Sequence, residues 1–222
     1  MTAGRKDPSD LSDLELDALT ELVNLGVSRA ALNLSEMVTE QVHLSVPSVQ
    51  MIGREQAVDI LNKSEPGKLV AVHQIFEGEV TGRALVIFPE TKSLELIKAV
   101  TSVELSLEDI IELEHEALAE TGNVILNSCL ATIANQLDRT LKISLPDILR
   151  GDGQRLFNLP PPPPAGEVVL FVYINFAVKR RDIQGYIALL MDVSSLTALK
   201  GLLAEYIQRI SGEPATIPNA NA

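Results

Sequence analysis

Asp17-Ala-Leu-Thr-Glu21-Leu-Val-Asn24 and Glu116-Ala-Leu-Ala-Glu120-Thr-Gly-Asn123 are one phrase written twice, 99 residues apart. A repeat of this kind fixes architecture before any local reading does, because each copy must build the same unit. The spacing persists beyond the phrase. Pro47 meets Pro146 at the same offset, each 23 residues after its asparagine. Gly82-Arg-Ala-Leu-Val-Ile-Phe aligns with Gly185-Tyr-Ile-Ala-Leu-Leu-Met, and Ser93-Leu94 with Lys98 aligns with Ser195-Leu196 and Lys200, at offsets of 103 and 102. The drift implies short insertions in the second copy, for which the run Pro160 to Pro164 is a candidate; five prolines give an extended, stiff loop.

Working outward, each copy carries the same order of signals. A long helix comes first. In copy one it starts near Ser12, with Glu15 completing a capping box, and runs to about Thr39. In copy two it starts near Ser106, with Asp109 in the matching place, and runs to about Asp138. A strand interrupted by proline follows, Val42 to Met51 and Leu141 to Leu145; proline cannot donate to a sheet ladder, so it predicts an edge or a bend. A connector comes next, Arg54 to Asn62 (a short helix) and Asp147 to Gly166. Two β-rich runs follow, Lys68 to Phe76 with Gly82 to Phe88, and Val168 to Val178 with Gly185 to Met191. Glu77-Gly78 and Arg180-Arg181-Asp182 are the turns between them. A helix closes each copy, Thr91 to Val100 and Val193 to Ile210. The reading is one α/β (α+β) domain over residues 12–210, built from repeats 12–100 and 106–210 about a pseudo-twofold axis, with three strands per copy. Residues 1–11 are expected to be a flexible N-terminus and 211–222 a disordered tail.

Composition narrows the function classes. Eighteen basic residues against 30 acidic give a net charge of −12. That argues against a nucleic-acid binder, which needs a basic footprint to displace counterions, and disfavours an anionic membrane surface. The longest apolar stretch, Val168 to Val178, contains Asn175 and is too short to span a bilayer as a helix. The N-terminus has no apolar core of a signal peptide. A cytoplasmic protein is the expectation. The single cysteine, Cys129, lies in an apolar helical pattern and reads as a small buried hydrophobe.

At about 100° per residue, Asp17, Glu21 and Asn24 stack on one helix face, as do Glu116, Glu120 and Asn123. Ser28, Ala31 and Ser35 continue the first stripe, and Asn127, Leu130 and Ala134 the second. A lone Glu-x2-Asn is ordinarily a solvated face, since acidic residues favour early helix turns. Asparagine is the odd member, because its amide competes for backbone hydrogen bonds and weakens a helix interior. Its recurrence with a proline at a fixed distance points to function. Asn127 for Ser28 and Leu130 for Ala31 make the second face the bulkier, so the first is expected to contribute more. His43, His73 and His115 are scattered without ligand spacing, so no metal site stands out, and no phosphate-cradling loop or nucleophile motif appears.

The pattern Asp/Ser-x3-Glu-x2-Asn-x22-Pro resembles the signature of the CheC, CheX and FliY family of response-regulator phosphatases. Asp17, Glu21, Asn24 and Pro47 match it fully; Glu120, Asn123 and Pro146 match in the second copy, where Glu116 stands in place of Asp or Ser. Two such sites resemble CheC-type members, and the resemblance extends from about Ser9 to Ile210. It implies two long helices packed on a six-stranded antiparallel sheet. It also implies hydrolysis of the aspartyl phosphate of a CheY-like response regulator. Asn24 and Asn123 would place the attacking water and Glu21 and Glu120 would pair with the regulator's lysine. Asp17, Glu116, Ser28 and Asn127 would contact the partner, and Pro47 and Pro146 would be structural. No cofactor is expected on this chain; Mg²⁺ is expected in the regulator. The receptor deamidase CheD is a further partner implied. The alternative is a non-catalytic interaction protein binding a response regulator, CheD or a flagellar switch.

Overall fold

A computed structural model of the chain describes residues 11–38, 41–100, 107–159, 167–178 and 181–212. The first half runs α1 (Asp13–Val38), β1 (Val42–Gly53), α2 (Arg54–Ser64), β2 (Leu69–Glu77), β3 (Gly82–Pro89) and α3 (Glu90–Val100). The second half repeats the order with α4 (Leu107–Gln136), β4 (Lys142–Ile143), β5 (Asp147–Gly151), α5 (Gly153–Phe157), β6 (Val168–Val178), β7 (Arg181–Met191) and α6 (Val193–Ser211). The proline run 160–164, Ser106 at the expected start of the second long helix, residues 1–10 and 213–222, and the side chain of Pro47 lie outside the described residues.

The strands form one antiparallel sheet in the order β1-β6-β7-β3-β2-β4, with β5 also on β2. Exchanging the halves leaves that order unchanged: β1 flanks β6 as β4 and β5 flank β2, and β7 meets β3 at the centre. The approximate twofold expected from the repeat is therefore built into the sheet.

Both motif prolines lie at the edges of the sheet. On β1 the register with β6 shifts between Ser45 and Ser48, around Pro47. On the opposite edge Pro146 separates β4 from β5, because a residue without an N–H cannot continue the ladder. The sheet thus has the six strand positions expected, with the outermost one of the second half split in two. The segment 147–166, expected to be a connector throughout, instead begins with β5, which aligns Asp147 to Gly151 along His73 to Leu69, and continues into the short helix α5. Arg181 and Asp182, expected in a turn, belong to β7, where Arg181 pairs with Val178.

Long helices need caps and an apolar face. Ser12 supplies the cap of α1: its N–H and Oγ–H both donate to the Glu15 carboxylate, at 2.7 and 2.8 Å, and the Glu15 N–H returns to Ser12 Oγ. Leu19, Leu22, Val27, Ala30 and Leu34 on α1 are almost fully buried, as are Leu118, Ile125 and Leu126 on α4; each large aliphatic side chain buried this way contributes about 1.5–3 kcal/mol. Together with α3 and α6 they cover one face of the sheet around a core that includes Val72, Val86, Leu170, Ile174 and Ile187. The other face carries α2 and α5, packed on Leu85, Ile87, Val169 and Ala188. Covering on both faces explains why β3, β6 and β7 read as nearly continuous apolar runs.

Candidate functional site

Two glycines set how closely the long helices approach their neighbours. A β-carbon on Gly26 of α1 would lie 2.9 Å from the Cα of Cys129 on α4, so the two helices touch backbone to backbone. Asn33 then reaches across and donates from Nδ2 to Ser128 Oγ at 2.8 Å. A β-carbon on Gly122 would lie 2.3 Å from Cγ2 of Val72, so α4 lies directly on β2. The matching position of α1 is Val23, which is buried and holds its helix off the sheet by a side chain.

This packing leaves the acidic stripes at the surface. Asp17, Glu21 and Ser28 are exposed and Asn24 is half-buried. Glu116 and Glu120 are exposed, and Asn123 and Asn127 are half-buried. Each stripe therefore pairs a solvated carboxylate with an amide seated where the helix meets its neighbours. Ser35, also on the first stripe, is structural: its Oγ donates to the Ala31 carbonyl and accepts from the Val42 N–H, joining α1 to β1. Leu130 and Ala134 do not continue the second stripe. Both are buried, Leu130 in the helix-side core, so the expectation of a bulkier second face does not hold at Leu130.

The two amides differ in what holds them. Asn123 Oδ1 accepts from Gln74 Nε2 at 3.0 Å and from Asn127 Nδ2 at 2.8 Å. Gln74 Nε2 also donates to the Ser144 carbonyl at 2.8 Å. Gln74 is fully buried on the helix-facing side of β2. No counterpart serves Asn24, because the helix-facing residues of β6 are Val168, Leu170, Val172, Ile174 and Phe176. Among the described residues none makes a hydrogen bond with the Asn24 side chain. Gln74 and Ser144 escape a reading of the sequence built on the helices. The signal was one polar residue on the apolar side of an alternating strand, Val70-x-Val72-x-Gln74-x-Phe76.

Other chemistry is absent from the stripes. Cys129 is buried and its thiol is pushed up to about 12 by desolvation, which makes it a packing group and not a nucleophile. Among the described residues no three His, Cys, Asp or Glu side chains are grouped to hold a metal ion, and no helix is long and apolar enough to cross a membrane.

Two comparisons, one of sequence and one of fold, bear on this arrangement. The chain is 24% identical over 140 residues to a Halobacterium salinarum protein named "Putative CheY-P phosphatase CheC1", in a match covering 63% of this chain and 70% of that one. Its fold matches the crystal structure of Thermotoga maritima FliY with a TM-score of 0.69 and 18% identity, over 88% of this chain and 98% of that one. By sequence the chain is similar to a CheC protein, and by fold to FliY. The FliM middle domain of H. pylori has the same fold at 13% identity, with a TM-score of 0.55 over 86% of this chain and 99% of that one. No family model matches the chain. The motif carboxylates and amides of each copy lie on α1 and α4, the carboxylates exposed and the amides half-buried.

Proposed function

We propose that this protein is a chemotaxis phosphatase that hydrolyses the aspartyl phosphate of a CheY-like response regulator, using Glu21 with Asn24 and Glu120 with Asn123. The observation that carries the reading is the duplicated exposed carboxylate beside a half-buried amide. A phosphorylated site in a folded partner can be reached by a convex helix face and not by a deep cavity.

The chemistry required is small. A water oxygen attacks phosphorus in line, the bond from phosphorus to the carboxyl oxygen breaks, the regulator's aspartate becomes a carboxylate again, and phosphate leaves with the water's oxygen and protons. Catalysis of such a loose transfer is positioning and electrostatics. An amide inserted beside the phosphoryl group can fix the water. The exposed glutamate, one turn away on the same face, suits pairing with a lysine of the partner. Mg²⁺ would be brought by the regulator. A partner such as CheD and a cytoplasmic location follow from the same reading.

The test is phosphate release from a phosphorylated response regulator. Asn24→Ala with Asn123→Ala should lower turnover about a hundredfold, or roughly 2.7 kcal/mol of barrier, while binding of the regulator carrying a stable phosphoryl mimic stays within about twofold. Unchanged turnover in the double variant would overturn the catalytic reading in favour of an interaction protein.

A further inference from the structure

Gln74 is buried at a cost. Its Oε1 has no hydrogen-bond partner and no contact with solvent, and an unsatisfied buried acceptor is destabilising by about 1–3 kcal/mol. Every helix-facing position on β6, the strand related to β2 by the twofold, is filled by an apolar residue. A leucine or methionine would therefore suit β2 at least as well. What Gln74 gains is on its other atom, Nε2, which donates to the Ser144 carbonyl and to Asn123 Oδ1.

The Ser144 carbonyl is available for a reason that involves the motif proline. Ser144 directly follows β4, where its N–H still bonds the Ile75 carbonyl and its Oγ takes the Ile75 N–H. Two residues on, Pro146 interrupts the edge, and pairing with β2 resumes only at Asp147. The carbonyl of Ser144 faces the buried amide at this break. Gly122, lacking a side chain, brings α4 down on Val72 and so puts Asn123 within reach of the same amide.

We infer that Gln74 is a positioning residue for Asn123, and that it makes the second stripe a pre-oriented, donor-only site while the first stays adaptable. An amide oxygen has two lone pairs. Those of Asn123 are taken by Gln74 Nε2 and Asn127 Nδ2. Turning the Asn123 amide over would set its NH₂ against two donors and lose both bonds. Its Nδ2 is therefore held facing away from the network, able to donate to a phosphoryl oxygen or to a lone pair of water, and unable to accept. Asn24, with no such clamp, keeps both ends of its amide for the partner. Asn127, expected to touch the partner, serves the orientation of Asn123 in this arrangement.

The inference rests on the phosphatase reading, and the experiment separates the two. Gln74→Met keeps the volume and removes both the donor and the unsatisfied oxygen, so the fold should survive. With Asn24→Ala as background, so that only the second site works, Gln74→Met should lower kcat about tenfold with little change in KM. With Asn123→Ala as background, so that only the first works, it should change nothing. Equal losses in both backgrounds would show a merely structural role, and no loss in either would show that Gln74 does not matter; each overturns the inference. Wild-type activity in the Asn24→Ala, Asn123→Ala variant would instead overturn the phosphatase reading itself. Side-chain amide relaxation by NMR on the native protein needs no variant: the Asn123 NH₂ should be rigid and the Asn24 NH₂ mobile on the nanosecond timescale. Equal mobility would overturn the inference even if Gln74→Met failed to fold.

Discussion

Gly26 of α1 rests on the backbone of Cys129 of α4, with room for no atom between them. A β-carbon there would stand 2.9 Å from Cα and 3.1 Å from the carbonyl oxygen of Cys129. Neither backbone atom can rotate aside. Gly26→Ala should therefore force the helices apart, costing about 1–3 kcal/mol of overpacking against a gain of about 1 kcal/mol in helix propensity. The expected outcome is a net loss of stability, read as a lower urea midpoint with unchanged slope. A rise in the midpoint would contradict the close approach.

Gly122 makes the comparable contact below the second site, but against a side chain. Val72 Cγ2 and Cβ would stand 2.3 and 2.4 Å from the new carbon in Gly122→Ala, and a β-branched residue in a strand has few rotamers to escape into. The helix must lift, carrying Asn123 away from Gln74. The variant should lose about 1–3 kcal/mol, and in the Asn24→Ala background it should also lose phosphate release. In the Asn123→Ala background the remaining activity should be kept. Equal loss in both backgrounds would show a general loosening of the fold instead.

Glu21 and Glu120 are solvated, so their contribution should be to encounter and anchoring rather than to the bond-breaking step. Glu21→Ala with Glu120→Ala should raise the Kd for a regulator carrying a phosphoryl mimic about tenfold, near 1.4 kcal/mol. The salt dependence of binding should become shallower, since a charge-assisted contact is removed. Titrations at two ionic strengths measure both effects. Unchanged affinity in the double variant would take the anchoring role away from these carboxylates.

Asp192 caps α6. Its Oδ1 accepts from the Ser195 N–H and the Ser194 hydroxyl, both at 2.7 Å, and these bonds, the Ser195 N–H foremost, hold its carboxyl below the ordinary value of 3.8. A depressed folded-state pKa means stability that is fully present above 3.8 and lost as pH falls through the lower folded value. Asp192→Ala should cost about 1 kcal/mol at neutral pH. The gap from the native protein should stay constant down to the ordinary aspartate range and narrow below it. Denaturant midpoints for both proteins at neutral pH and at about pH 3 check this. A gap that widens in acid would contradict the sign.

Much of this protein was settled by pattern. The phrase at Asp17 and Glu116, repeated at a constant offset with Pro47 and Pro146, determined that there are two equivalent units. The capping box at Ser12 and the turn to alternating apolar residues placed the helices and most strands within a few residues. These features are legible because they depend on local geometry: a helix face, a cap and a strand alternation are each fixed by neighbours in the chain. The exposed positions of Glu21 and Glu120 follow from the same periodicity, since Leu22 and Leu118 had to point inward.

Contacts between distant segments were decided only in three dimensions. Asp-Ile-Leu-Arg-Gly at 147–151 is too short and too polar at its ends to declare itself a strand, and becomes one because β2 offers an unpaired edge beyond Pro146. Leu130 has the spacing of the second stripe, yet the crossing of α4 against α1 and the sheet turns it into the core. The difference between the two asparagines lay outside the motif altogether. It depends on Gln74, 49 residues before Asn123 in the chain, meeting it because a glycine lets a helix settle on a strand and a proline frees a carbonyl at the edge. A hydrogen bond between side chains so far apart in sequence leaves no periodic trace; only the packing of α4 on β2 brings its two ends together.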